Sequence, residues 1–266
     1  MPWLISLRRL IYIKTESINQ SKCMKKIFFI FLISQVAFGQ VVSDLISKTT
    51  FQKIKPFIIP TVLLSYGLMG LESDQLQSLN SKIQGEVARN KKVKIDDFTV
   101  FIPAVSVYGL NAVGIKGKHN LKDRTIILAT SSLILVATVL PLKELTNVSR
   151  PDGSSTDSFP SGHSAVAFAG AEFLWQEYKD VSIWYGIVGY AVATGTVFLR
   201  IYNDRHWFTD VVTGAGIGIL STKIAYLLQP YLSNKLLSNQ YKSSTTTSAF
   251  PFYNGKQFGV GLALQF

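Results

Sequence analysis

The chain of 266 residues is 47% hydrophobic and only 16% charged, with a formal net charge of +11 at pH 7. Soluble domains average about 25% charged residues, so this composition indicates a membrane protein of one domain. The single cysteine, Cys23, excludes an intramolecular disulfide and a cysteine-based zinc cage, and three histidines are too few for a His-rich metal site. Basic residues are scattered between apolar runs, which favours an anionic lipid or phosphate over nucleic acid as the partner. We therefore expect no metal and no cofactor.

Residues 1–39 form an N-terminal extension that resembles a secretory signal peptide. Two lysines follow Met24, an apolar run occupies residues 27–33, and small residues end the segment before Gln40. A charged start, an apolar middle of this length and a small-residue end are typical of a cleaved signal, with Met24 as a possible true start. The alternative is an N-terminal membrane anchor, although the apolar run is shorter than a span.

Residues 40–97 are predicted to be a polar, peripheral N-terminal region. The apolar run at 57–71 is broken by Pro60, Ser65 and Gly67, so we interpret it as a peripheral or re-entrant helix. The charged segment that follows, 72–97, is interpreted as a solvated helix or loop.

Five apolar runs then predict an all-α fold, an antiparallel helix bundle over residues 98–230 with about five or six membrane spans. Their lengths and near absence of charge indicate helices, and small residues favour close packing between the later ones. Most of these runs are no longer than a membrane span, and buried helices of a soluble bundle can have the same length. A soluble helix bundle is therefore the alternative. Residues 231–266 form a polar linker and a tail, whose last ten residues resemble one strand without a partner. The five runs are 98–114, 125–142, 164–175, 182–199 and 211–228.

Two polar segments interrupt the apolar runs, at 143–163 and 200–210. In an antiparallel bundle the first would join the end of one helix to the start of the next, and the second would do the same for the following pair. Both segments would therefore lie at the same rim of the bundle, where ionisable residues of a membrane protein are usually functional. We predict that they meet in space and form one phosphate-handling site.

His206 and Asp210 are four residues apart, which places them on one face of a helix. The carboxylate would then accept the proton of one imidazole nitrogen, fix the tautomer and leave the other nitrogen as a nucleophile. The alternative is a capping pair at a helix start. Ser161, Gly162 and His163 would place backbone N–H groups at a helix N-terminus, which can hold an anion beside a general acid. An ordinary helix start capped by Ser161 is the alternative here.

Three cations accompany these groups: Lys143, Arg150 and Arg200. Guanidinium groups offer paired donors to phosphate oxygens, whereas an ammonium offers a mobile point charge. Lys143 alone is explained equally well as a residue that extends from a helix end to the interface. The combination of three cations, two histidines and a carboxylate at one rim favours phosphoryl transfer.

Together these residues resemble the type 2 phosphatidic acid phosphatase superfamily, whose pattern is Lys-x6-Arg-Pro, Pro-Ser-Gly-His and Ser-Arg-x5-His-x3-Asp. The three motifs occur here in order, within residues 98–228, and the one departure is Leu199 in place of the serine. The resemblance implies that His206 attacks phosphorus, Asp210 orients it and His163 protonates the leaving group. It further implies that the phosphate is held by Lys143, Arg150, Ser161, Gly162 and Arg200.

The superfamily also includes soluble periplasmic acid phosphatases and vanadium haloperoxidases, so the motifs alone do not select the substrate. Membrane embedding favours a lipid phosphate: undecaprenyl pyrophosphate, phosphatidylglycerophosphate, phosphatidic acid or a lipid A phosphate. The cations of the loop at 115–124 predict that this loop is cytoplasmic, so the site would face the periplasm from a bacterial inner membrane. The alternatives are a soluble secreted acid phosphatase and a non-catalytic membrane protein that binds anionic lipid.

Overall fold

The computed structural model describes residues 51–89, 93–238, 246–253 and 258–265. The predicted signal peptide at residues 1–39 lies outside them. The described chain contains eight helices followed by a two-stranded antiparallel hairpin. The elements are α1 Phe51–Met69, α2 Asp74–Val87, α3 Asp96–Thr99, α4 Ile102–Ala112, α5 Leu121–Thr146, α6 Gly162–Tyr178, α7 Ile183–Tyr202, α8 Phe208–Ser238, β1 Thr246–Tyr253 and β2 Phe258–Gln265.

Polar residues at the helix ends explain where the bundle helices begin and end. Asn120 caps α5 by accepting the N–H of Asp123 at 2.9 Å, and Asn147 ends the same helix in the left-handed conformation, with φ of 48°. Ser161 and Ser182 cap α6 and α7 in the same way as Asn120 caps α5. The turns between the helices are therefore encoded locally.

Helix α6 lies at the centre, because it contributes residues to all three hydrophobic clusters of the described core. It packs against α8 almost backbone to backbone. A Cβ added at Gly214 would lie 2.3 Å from the carbonyl oxygen of Ser161, and one at Gly218 would lie 2.1 Å from that of Ala165. The small residues that predicted close helix packing are therefore used for it, and the two helices run in the same direction.

Helices that follow one another in the chain run in opposite directions, as predicted for α5 to α8. Ser131 of α5 hydrogen bonds to Thr222 of α8 at 2.8 Å, and Ser233, further along α8, donates to Asp123 near the start of α5 at 2.7 Å. Gly186, near the start of α7, packs against the C-terminal part of α6. The C-termini of α5 and α7 and the N-termini of α6 and α8 therefore lie at one rim.

Two of the described helices are long and apolar enough to cross a membrane, Leu121–Thr146 and Phe208–Lys235. A bent pair, Ile54–Met69 with Asp74–Val87 at 95°, would make a third span. This is fewer than the predicted five or six, because α4 and α6 have 11 and 17 residues and α7 contains several Gly, Thr and Tyr residues. Within its apolar window, α5 is only 22% buried inside the protein.

The described part of the N-terminal region is not peripheral, contrary to the prediction for residues 40–97. Leu64 of α1 belongs to a core cluster with residues of α5, α6 and α8. Asn80 of α2 is buried and donates to the hydroxyl of Thr209 at 2.9 Å, and Gln84 donates to the carbonyl of Ile201 at 3.2 Å. The many charged residues of 72–97 predicted a solvated segment and gave no indication of these polar contacts. The contacts fix α2 beside the rim.

The C-terminal part also differs from the prediction. Helix α8 continues past Pro230 to Ser238, so the predicted boundary at residue 230 falls inside a helix. The tail strand has a partner, because β1 pairs with β2 in antiparallel register from Thr246 opposite Gln265 to Tyr253 opposite Phe258.

The end of the bundle opposite the rim contains a buried ionic network centred on Glu177. Its carboxylate accepts from His119 Nδ1 and from the hydroxyl of Tyr226, each at 2.7 Å, and lies 3.4 Å from Arg124 Nε. Arg124 is only 1% exposed. This residue was counted among the cations of a cytoplasmic loop, but it is a core residue whose charge Glu177 offsets.

We expect Glu177→Ala to lower the free energy of unfolding by about 3–5 kcal/mol, because it leaves the buried guanidinium of Arg124 without its counter-charge. Thermal unfolding of the detergent-purified protein measures the loss. The matched control is Asp180→Asn, which removes an exposed carboxylate at the same end of the bundle. Equal unfolding temperatures for the two variants would contradict a stabilising role for the network.

Candidate active site

The two polar segments predicted to meet are in direct contact at the rim. The indole Nε1 of Trp207 donates to the carbonyl of Ser149 at 2.8 Å, and the N–H of Ser161 donates to the carbonyl of Asp210 at 3.0 Å. The N–H of Asp152 donates to the carbonyl of Asp204 at 3.2 Å. The rim therefore holds both segments in one site.

His206 is almost completely enclosed, at 2% exposure. Its Nδ1 lies 2.9 Å from the carbonyl oxygen of Ser158 and 3.6 Å from a carboxylate oxygen of Asp210. A carbonyl oxygen can only accept, so Nδ1 carries the proton and the lone pair is on Nε2. The sequence spacing assigned the fixing of the tautomer to Asp210, but the acceptor of the Nδ1 proton is the Ser158 carbonyl.

Asp210 is held beside the imidazole by two other donors. Its Oδ2 accepts from the hydroxyl of Ser158 at 2.5 Å and from the N–H of Trp207 at 2.9 Å. The carboxylate is 1% exposed, so its negative charge acts on the ring of His206 with little screening by water. It is therefore placed to stabilise positive charge on the ring without bonding directly to it.

Burial lowers the pKa of His206 below the ordinary 6.5, and the nearby carboxylate of Asp210 opposes this effect only in part. The positive charges of Arg200 and Lys143 lower the pKa further. His206 is thus neutral at neutral pH, as a nitrogen nucleophile must be.

The start of α6 presents the predicted groups with one change. Ser161 is completely buried, and its hydroxyl caps the helix by accepting from the N–H of Ser164 at 3.3 Å. Gly162 is the first residue of α6, so its N–H has no acceptor within the helix. His163 follows, with 36% of its side chain exposed. Backbone N–H groups and His163 can face an anion here, whereas the Ser161 hydroxyl is engaged in the cap.

Lys143 and Arg150 converge on Asp157, a residue of the same loop. The ammonium of Lys143 donates to its backbone carbonyl, and Arg150 contacts its carboxylate through Nη2 at 3.1 Å and Nε at 3.0 Å. Burial alone would raise the pKa of Asp157, but the Ser155 hydrogen bond and the two cations outweigh it and hold the pKa below its ordinary value. Asp157 is therefore ionised and keeps both cations at the rim.

Arg200 is paired with carboxylates that precede the bundle. Its Nη1 lies 2.7 Å from Asp96 Oδ2 and 3.7 Å from Asp97 Oδ1. The same oxygen of Asp97 lies 3.1 Å from His163 Nε2. Since an ionised carboxylate can only accept, His163 carries a proton on Nε2 in this arrangement.

Sequence reasoning found all the cations and both histidines of the site but missed four of its groups: Ser158, Asp157, Asp96 and Asp97. Ser158 and Asp157 lie in the hydroxyl-rich loop, whose composition marked it as functional without indicating individual roles. The two aspartates at 96 and 97 were assigned to a solvated segment. Among the described residues, no cluster of three His, Cys, Asp or Glu side chains is arranged to hold a metal ion.

Comparison with known proteins finds one family that part of the chain resembles. Residues 124–234 match the family model described as the PAP2 superfamily. The lipid A 1-phosphatase of Porphyromonas gingivalis is 32% identical over 150 residues, which cover 56% of this chain and 34% of that protein. The lipid A 1-diphosphate synthase of Escherichia coli is 31% identical over 97 residues, covering 36% and 39%. The chain thus spans between about one third and two fifths of these relatives.

Two solved structures are also similar. A transmembrane PAP2-type phosphatidylglycerolphosphate phosphatase from Bacillus subtilis has a TM-score of 0.48 and 19% identity, and the match covers 65% of this chain and 97% of that one. LpxE from Aquifex aeolicus has a TM-score of 0.43 and 23% identity, with 59% and 97% covered.

We expect the ring of His206 to titrate below pH 6.5, with a further decrease in Asp210→Asn, which removes the charge that opposes the effect of burial. Histidine-selective NMR of the detergent-solubilised protein measures the midpoint. The chain has three histidines, so His119→Gln and His163→Gln assign the remaining resonance. A midpoint above 6.5 for His206 would contradict the described burial.

Proposed function

We propose that the chain is a metal-free phosphatase that hydrolyses a lipid phosphate through a phosphohistidine at His206, because residues 124–234 match the PAP2 superfamily model. The observation that supports this proposal best is the environment of that histidine. It is buried and neutral, its proton is held on Nδ1 by the Ser158 carbonyl, and the positive charges of Arg200 and Lys143 act on its ring.

In the first step, Nε2 of His206 attacks phosphorus and forms a P–N bond while the bond from phosphorus to the leaving oxygen breaks. The ring gains positive charge, which Asp210 stabilises from 3.6 Å. His163 acts here as an imidazolium with protons on both ring nitrogens, and it gives the Nε2 proton to the leaving oxygen, which leaves the ring neutral. The lipid alcohol or lipid phosphate then departs in its protonated form.

In the second step, water attacks the phosphohistidine. His163, now neutral, takes a proton from this water, and the P–N bond breaks as the new P–O bond forms. The electron pair returns to Nε2 of His206, and inorganic phosphate is released. His163 has then recovered its proton, so the cycle is complete without a metal or a cofactor.

Negative charge on the transferred phosphoryl group requires fixed donors. Lys143, Arg150 and Arg200 supply positive charge, and the N–H of Gly162 adds a donor at the start of α6. Ser161 contributes through its position, because its hydroxyl caps the helix that carries Gly162 and His163.

A lipid phosphate is favoured over a soluble ester because apolar surface remains exposed on helices long enough to span a membrane. On α5, Leu133 is 70% exposed and Leu140 is 55% exposed. Water-facing surfaces rarely carry such a stripe. Both curated relatives are named for lipid A chemistry, which makes a lipid A phosphate the first substrate to test. A soluble secreted phosphatase would instead be extracted in buffer without detergent.

We further propose that the site faces the periplasm from the inner membrane. The turn between α4 and α5 lies at the opposite end of the bundle and carries Lys116 and Lys118, both exposed, while Lys122 follows in the first turn of α5. Exposed lysines at one end favour a cytoplasmic location for that end. Arg124 adds nothing to this bias, because its charge is paired inside the core.

We expect His206→Ala to lower kcat for phosphate release by at least about a thousandfold, because the nucleophile is lost. The assay compares lipid A, undecaprenyl pyrophosphate, phosphatidylglycerophosphate and phosphatidic acid with purified protein in buffer that contains EDTA. Asp180→Asn, far from the site, is the control and should retain wild-type turnover. Full activity of His206→Ala would exclude this nucleophile and leave the non-catalytic lipid-binding alternative. Loss of wild-type activity in EDTA would contradict a metal-free reaction.

We expect a cysteine at Ser154, in the loop of the site, to react with a membrane-impermeant maleimide on intact spheroplasts. A cysteine at Lys116 should react only after lysis. Both substitutions are made in Cys23→Ser, because Cys23 is the single native cysteine. The reverse labelling pattern would place the site in the cytoplasm.

A further inference from the structure

A short segment before the matched domain lies against the C-terminal half of α7. We call residues 93–99 the acidic segment, because it contains Asp96 and Asp97. The side-chain amide of Asn203 makes two hydrogen bonds to Val93, the first residue of the segment. It accepts from the Val93 N–H at 2.8 Å and donates to the Val93 carbonyl at 2.7 Å. Thr196 donates to the hydroxyl of Thr99 at 2.8 Å. The segment is therefore fixed at both ends.

Arg200 lies between these two anchors on the same face of α7, since residues 196, 200 and 203 follow helical spacing. Its Nη1 donates to Asp96 at 2.7 Å, and Asp96 is 1% exposed. The Nε of Arg200 is buried and has no hydrogen-bond partner among the described residues. Asp96 thus holds one nitrogen of the guanidinium, while Nε has no acceptor among the described residues.

Asp97 is placed differently from its neighbour. Its side chain is 56% exposed, and a single oxygen lies 3.1 Å from His163 Nε2 and 3.7 Å from Arg200 Nη1. These are two of the groups that would hold the phosphate and its leaving oxygen. A phosphate oxygen bound to both of them would need the position that this carboxylate oxygen occupies.

The charge balance of the site supports this competition. Three cations, Lys143, Arg150 and Arg200, face four carboxylates within contact distance of the site's groups. Those carboxylates belong to Asp96, Asp97, Asp157 and Asp210. An anionic substrate would meet little net attraction until one carboxylate leaves, and Asp97 is the most exposed of the four.

We propose that the acidic segment completes the site from outside the matched domain: Asp96 is a positioning residue for Arg200, and Asp97 competes with the substrate phosphate for His163 and Arg200. This inference rests on the proposed function. On binding, the phosphate displaces the Asp97 carboxylate into solvent, while Asp96 keeps the guanidinium in place. Neither aspartate exchanges a proton with the substrate or forms a covalent bond.

The two aspartates should therefore give opposite kinetic signatures. Asp97→Asn removes the competing charge, so KM for the lipid phosphate should fall about tenfold. Asp96→Asn weakens the hold on Arg200, so kcat should fall at least about tenfold with a smaller change in KM. Asp180→Asn makes the same charge change away from the site and should alter neither constant.

A binding measurement separates these effects from turnover. Calorimetric titration of inorganic phosphate into detergent-purified His206→Ala protein, with and without Asp97→Asn, should show an affinity about tenfold higher in the double variant. Asp97 is exposed, so this test does not depend on whether Asp96→Asn folds. If wild type hydrolyses the lipid and His206→Ala does not, the proposed function stands. Unchanged or weaker phosphate affinity on adding Asp97→Asn would then overturn the competition alone, and unchanged kcat in folded Asp96→Asn would overturn the positioning role. A wild type without activity would instead refute the proposed function.

Discussion

The hydrogen bond from His206 Nδ1 to the backbone carbonyl of Ser158 determines the chemistry available at the rim. It joins the two polar segments, fixes the tautomer and leaves the lone pair on Nε2. Because the acceptor is a backbone carbonyl, it carries no net charge and cannot be titrated. The charge of Asp210 can then act on the ring from 3.6 Å without determining where the proton resides.

This hydrogen bond requires the first polar segment to be held close to the start of α8. Gly214 permits that approach, because any side chain there would collide with the carbonyl of Ser161. Ser161 also accepts the capping hydrogen bond and donates its N–H to Asp210. The same close packing of α6 on α8 thus builds the core and sets the geometry of the site.

The parts of this architecture that depend on local patterns could be predicted from the sequence. The apolar runs predicted helices at the places of α4 to α8. The spacing of His206 and Asp210 indicated that the two side chains lie close together. The antiparallel order of the helices predicted that both polar segments lie at one rim. The parts that depend on tertiary contacts could not. Asp96 looks like a solvated residue until Arg200 approaches it, and Arg124 looks like a loop cation until Glu177 is placed beside it.

The number of spans shows a second limit of sequence reasoning. An apolar run indicates burial, but not whether protein or lipid covers it. Helix α6 is apolar because α5, α7 and α8 surround it, whereas α5 is apolar and mostly exposed. Composition alone treated the two helices as equivalent.

The central claim is that His206 carries the phosphoryl group during turnover. Its most direct test is mass spectrometry of the protein quenched at alkaline pH during hydrolysis of a lipid phosphate, where phosphohistidine survives. We expect phosphate on the peptide that contains His206 in wild type and its absence in His206→Ala. Phosphate on a residue other than His206 would contradict this role. So would the absence of phosphorylated peptide from both the wild type and His163→Gln, the variant in which a phosphohistidine should accumulate.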